Sequence, residues 1–199
     1  MSTGKTNTKS NINQDRFAKL ARLDERVFHT GDLANLWGIE NKNTLYTTLK
    51  RYTQSGLLFR IYKGMYSIKP VDEINPYLLG LKALHQFAYI STESILVDAG
   101  VILQKVQYVT IISSKSKKFS IAGINYRSRR LDDKFLFQKK GIYIKNGVNM
   151  ATVERAVADL LYFQPSFHFD NPHAIDWDKV RELQEDIGYK SKKIIQTQF

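Results

Sequence analysis

TGDLANLWGIENKNTLYTTLKRYTQSGLLFRIYKGMYSI, residues 30 to 68, is the stretch on which the reading of this chain turns. Thr30 offers a hydroxyl to cap a helix start and Asp32 suits the positive end of the helix dipole. Leu33, Ala34, Leu36 and Trp37 form an apolar side, and Gly38 follows as a stop. Only Ile39 to Lys42 separate this pattern from a second helix, from about Asn43 to Ser55, ended by Gly56. At about 100° per residue, Leu45, Thr48, Leu49 and Tyr52 fall on one side of that helix. Asn43, Thr47, Lys50 and Gln54 fall on the other, flanked by Thr44, Tyr46 and Arg51. LLFRIY and MYSI, rich in β-branched and aromatic residues and joined through Lys63-Gly64, predict a hairpin with Arg60 and Lys63 on or near its tip. Upstream, Phe17, Leu20 and Ala21 mark the apolar stripe of a short helix between Asp15 and Asp24. Three helices followed by a hairpin predict a winged helix-turn-helix over residues 15 to 70.

The outward face of the second long helix is amide, hydroxyl and cation, the groups that hydrogen-bond base edges and phosphates. No Asp or Glu occurs from Asn41 to Pro70, a span that holds Lys42, Lys50, Arg51, Arg60, Lys63 and Lys69. Carboxylates repel phosphate, so this gap has a chemical reading. The 199 residues carry 30 Lys+Arg against 19 Asp+Glu, a formal charge of +11, and residues 1 to 70 hold 12 of the cations against 5 acids. The expectation is a double-stranded DNA contact made by Lys42, Asn43, Thr44, Thr47, Lys50, Arg51 and Gln54 on the helix, with Arg60 and Lys63 on the wing. A solvated basic face, or one that docks an acidic protein, would look similar.

With 43% hydrophobic residues the chain can bury a core, and with no cysteine it excludes disulfides, thiol catalysis and Cys-ligated zinc. Residues 1 to 14 predict a flexible polar tail, in which Gly4-Lys5-Thr6 lacks the upstream glycine and strand of a phosphate loop. No apolar run approaches the ~20 residues of a spanning helix, so no membrane partner and a cytoplasmic location are expected.

Residues 71 to 76 predict a linker and residues 77 to 199 a second, α+β domain, which makes the fold class of the chain α+β. Tyr77 to Phe87 has a helical pattern, and YISTESIL suggests a helix capped by Ser91 and ended by Gly100. Strands are predicted at QYVTII, KFSIAGINYRS, FLF and GIYIKNGVNM, the last turning at Asn146-Gly147. Thr152 caps a helix with Val153, Ala156, Val157, Leu160 and Leu161 on its core face. Glu154, Arg155 and Asp159 lie around the other, the last two spaced as a surface ion pair. Asp176 caps a final helix, Trp177 to Ile187, ahead of the basic end SKKIIQTQF.

No catalytic constellation emerges. His168 and His173, on a loop with Pro172, match no zinc spacing, and no Gly-x-Ser-x-Gly elbow occurs. Asp132-Asp133-Lys134 contains the Asp-x-Lys fragment of magnesium nucleases, but Val106 to Ser128 supplies no second carboxylate. The expectation is a non-enzyme without metal or cofactor, with a nucleic-acid-bound nuclease as the alternative from another class.

Three segments, LLFRIYKGMYSI (57 to 68), YISTESILVDAGV (89 to 101) and MATVERAVADLL (150 to 161), give the chain a further meaning in their order and spacing. Over roughly residues 16 to 165 it resembles the AbiEi-like antitoxins and transcriptional regulators of type IV toxin-antitoxin and phage-defence systems. Arg60, Gly64 and Tyr66 match the family's wing; Glu154, Arg155 and Asp159 match its second-domain helix, with Val153 where the family often has Pro. The resemblance implies an autorepressor that binds inverted repeats in its own promoter. It also implies a C-terminal domain that counters a nucleotidyltransferase-like toxin, with Glu154, Arg155 and Asp159 as candidate partner contacts. A solitary regulator without a toxin fits the same architecture.

Overall fold

The computed structural model describes residues 15–23 and 25–189 and divides the chain into two compact units, Met1–Asn75 and Pro76–Phe199. The polar tail and the basic SKKIIQTQF end lie outside the described residues. The fold is mixed α+β with two sheets.

In the first unit, helix α1 (15–21) is followed by β1 (Val27–His29), α2 (Thr30–Trp37), α3 (Lys42–Gln54), β2 (Phe59–Tyr62) and β3 (Met65–Ser67). The strands form an antiparallel sheet in the order β1-β3-β2. Strand β3 sits centrally with all three residues buried; β2 is an edge and mostly exposed. Leu20 of α1, Phe28 of β1, Leu33 and Trp37 of α2, Leu45, Leu49 and Tyr52 of α3, and Leu58 fill one core. Trp37 meets Tyr52 edge-on at 5.4 Å, and its indole N–H donates to the Arg16 carbonyl at 3.1 Å, which ties α1 to α2.

The sequence signals differ from the structure in identifiable ways. Thr30 is the first residue of α2 and not its cap; the Asp32 carboxylate reaches back to accept the His29 N–H at 2.9 Å. The Thr30 N–H donates instead to the Gly64 carbonyl at 2.9 Å, so the hairpin turn is bonded to the start of α2. Strand β1 was not expected: three residues are too few to display a period of two. Ala21, assigned to the apolar stripe of α1, is exposed, whereas Leu20 is fully buried.

The second unit carries a six-stranded mixed sheet in the order β6-β7-β5-β4-β9-β8. Its elements are α4 (Pro76–Leu84), β4 (Ala88–Ile90), α5 (Glu93–Asp98), β5 (Val109–Ser113), β6 (Lys117–Ile121) and β7 (Ile124–Arg130). They continue with α6 (Asp133–Leu136), β8 (Ile142–Lys145), β9 (Val148–Ala151), α7 (Val153–Phe163) and α8 (Trp177–Ile187). Helix α4 lies close against the sheet at Gly80, where a Cβ would stand 2.5 Å from the Tyr126 ring. Two element types change from the sequence reading. Tyr89 and Ile90, expected at a helix start, form β4, and Thr92 at φ +53 takes the cap position expected of Ser91. FLF, expected as a strand, lies at the end of α6, which Asp132 precedes at the N-cap position.

Candidate functional site

Helix α3 owes its start to Asn41, whose side-chain oxygen accepts the Thr44 N–H at 3.1 Å. Leu45, Thr48, Leu49 and Tyr52 are buried against the core, so the opposite side of the helix faces outward. The nine residues that the sequence marks for DNA contact all have exposed side chains: Lys42, Asn43, Thr44, Thr47, Lys50, Arg51 and Gln54 on α3, Arg60 on β2 and Lys63 in the turn. The Thr47 hydroxyl donates to the Asn43 carbonyl at 2.7 Å, which fixes its rotamer and leaves its lone pairs outward to accept. A helix face of amide, hydroxyl, ammonium and guanidinium without a carboxylate can donate to acceptor-rich, negatively charged surfaces.

The hairpin is held to α3 through its own chain. The N–H groups of Leu57 and Leu58 both donate to the Tyr52 carbonyl, at 2.9 and 3.1 Å, so the strand leaves the helix in a fixed direction. Burial raises the Tyr52 phenol above its ordinary value, with Arg16 and Arg51 pulling the other way. Three exposed aromatics of helix and hairpin lie outside the expected contact set: Tyr46 on α3, 56% exposed, and Phe59 and Tyr62 on β2, 36% and 60% exposed.

The second-domain residues behave differently. Arg155 and Asp159 are fully buried, and Arg155 is the largest side chain so placed among the described residues. The expectation of a surface ion pair is therefore corrected. The Arg155 Nε donates to Asp159 Oδ1 at 2.9 Å, Nη1 to the Gln138 and Lys140 carbonyls at 2.9 Å each, and Nη2 to the Tyr89 hydroxyl at 2.8 Å. Asp159 also accepts from Tyr89 at 2.9 Å, Ser91 at 2.7 Å and Tyr189 at 2.6 Å. Burial opposes the guanidinium charge, but Asp159 together with Tyr89 and Tyr189 outweighs it and raises the Arg155 pKa. Burial, then Asp159, pushes the Tyr89 and Tyr189 phenols upward. Side chains so enclosed offer no surface to a partner; of the three candidate contacts only Glu154 is even partly exposed.

Asp132 and Asp133 are exposed at the start of α6 and Lys134 lies within that helix, so the Asp-x-Lys fragment is a helix start and not a pair of sheet-borne ligands. Among the described residues no group of three or more His, Asp or Glu could hold a metal ion, and no helix is long and apolar enough to cross a membrane.

No protein-family model matches the chain, and no curated protein matches it either. Among solved structures, it is similar to the RV2827C protein from Mycobacterium tuberculosis, at a TM-score of 0.51 and 14% identity over 88% of this chain and 71% of that one. At that identity the likeness is one of fold alone, and it spans most of this α+β chain.

Proposed function

We propose that the first unit is a winged helix-turn-helix that binds duplex DNA, with α3 in the major groove and the β2–β3 hairpin along the phosphate backbone. The observation that carries this reading is the outward face of α3, seven exposed polar or cationic residues from Lys42 to Gln54 on a helix without an acid. Asn43, Thr47, Lys50 and Gln54 read base edges; Arg60 and Lys63 hold the backbone. One such unit covers one half-site, so an inverted repeat takes two copies. The protein then acts as a repressor of its own promoter, and not as an enzyme.

The resemblance adds an antitoxin role against a nucleotidyltransferase-like toxin, and that role rests on the resemblance. Burial of Arg155 and Asp159 removes two of its three named contacts, an observation that favours the solitary regulator as a second reading. The test is titration of the full chain against its own upstream duplex and a scrambled one over a series of salt concentrations. The expected log affinity falls with log salt by ~0.9 per phosphate neutralised, with a preference for the upstream sequence. Failure to retain any duplex at low salt overturns DNA binding. Binding of an acidic protein that duplex DNA does not displace would make the basic face a protein dock.

A further inference from the structure

The second unit contains a cavity of about 620 Å³ whose wall is strongly basic. Arg127 and Arg129 stand two apart on β7, which puts them on one face of the strand; Arg130 ends the strand, and Lys105 joins them from the segment before β5. Glu93, at the start of α5, is the only acid in the lining, and it pairs with Arg129, both side chains being largely buried. The Arg129 guanidinium also lies 5.5 Å from the centre of the Phe163 ring. Arg127, Arg130 and Lys105 are exposed and make no side-chain hydrogen bond or ion pair with any described residue. Three unneutralised cations around one concavity repel one another, and a low-dielectric wall concentrates their field.

The wall shows a second kind of tension. Among the described residues five buried side-chain polar atoms have no hydrogen-bond partner; two of them, Glu93 Oε2 and Arg129 Nη1, belong to lining residues, and a third is the hydroxyl of Thr92, next to Glu93 in the chain. Thr92 also holds φ +53 and ψ −132, a backbone conformation costly for a β-branched residue. Unmatched polar atoms and surplus charge at one cavity, with a strained residue next to it in the chain, mark a site built for a ligand.

We propose that this cavity binds a small phosphorylated ligand of the nucleotide class. Arginine forks match phosphate oxygens two at a time, and Lys105 adds a point charge. Phe163 and Phe167 give the wall an apolar part, and the Gln104 and Gln164 amides can meet the edge of a base. The volume falls in the ~300 to 1,000 Å³ range of small-molecule sites, more than a lone phosphate fills. This site does not depend on the DNA-binding reading of the first unit.

The experiment is calorimetric titration of the full chain, near physiological salt, with ADP, GDP, pyrophosphate and adenosine. The expected result is binding of at least one nucleotide, tighter than pyrophosphate, with adenosine weaker than either. Arg127→Gln/Arg130→Gln lowers that affinity at least tenfold, while Lys50→Ala in the first unit leaves it unchanged. Because Arg127 and Arg130 are exposed, the double variant keeps its fold, which its far-ultraviolet circular dichroism checks. No nucleotide binding at millimolar concentration, equal affinity for pyrophosphate and nucleotide, or affinity indifferent to the double variant would each overturn the proposal.

Discussion

Arg155 has no route to water, so its charge is held entirely by the fold. Removing it strands Asp159, which keeps three hydroxyl donors but loses its cation, and frees the Gln138 and Lys140 carbonyls that Nη1 had satisfied. Arg155→Met is therefore expected to cost about 3–5 kcal/mol, the range for breaking a buried pair from one side. Arg155→Met/Asp159→Leu should cost less than the sum of the two single changes, because neither charge is then left alone. Urea unfolding of the full chain and the three variants measures this, and strictly additive losses would mean the pair is uncoupled. Gly141 belongs to the same arrangement. It sits at φ +69, and a Cβ there would stand 2.8 Å from the Arg155 Cβ, so Gly141→Ala is expected to destabilise the unit through both strain and clash. None of this was legible from the spacing of Arg155 and Asp159. An i, i+4 pair looks alike on a surface and in a core, and what buries it comes from Tyr89, Ser91 and Tyr189, 30 to 70 residues away.

Elements with a long, clean period were readable in advance, and short ones were not. Helix α3 runs for 13 residues with one apolar side, so its outward face follows from 3.6 residues per turn. Its cap, Asn41, lay two residues ahead of the expected start. Asn41→Ala is expected to cost about 1 kcal/mol in thermal or urea unfolding, since the Thr44 N–H loses its acceptor. The three-residue β1 and β4 carry too little pattern to read, and β4 takes its shape from pairing with β5 and β9. Within the proposed interface, helix and hairpin separate by experiment. Lys63→Ala should reduce the salt slope of DNA binding by about 1 and weaken upstream and scrambled duplexes alike. Asn43→Ala and Lys50→Ala should instead change the preference between them by about 1–3 kcal/mol. Equal effects of all three on both duplexes would mean α3 touches only phosphates.

Across the whole chain the charge is lopsided in a way the sequence displayed, whereas which phenols are buried is something it hid. The second unit encloses Tyr89, Tyr126 and Tyr189 almost completely. Burial raises all three from an ordinary value of 10.0, Tyr126 to about 12, with Asp159 adding to the shift at Tyr89 and Tyr189. In the unfolded chain these phenols ionise near pH 10, while the folded ones keep their protons, so above that pH the unfolded state holds fewer protons and gains on the folded one. Their contribution is intact below pH 10 and is lost as the pH climbs towards the folded values, at about 1.4 kcal/mol per pH unit for each phenol. The expected stability of the second unit is level with respect to these groups from pH 7 to 9 and falls steeply between 10 and 12. Tyr126→Phe should make the fall shallower by one phenol's share, because the ring stays while the titrating group goes; its hydroxyl donates only to the Pro76 carbonyl at 3.0 Å. Urea midpoints of the wild-type chain and Tyr126→Phe, taken every half pH unit, measure the difference. Parallel curves above pH 10 would show that this phenol ionises as readily folded as unfolded.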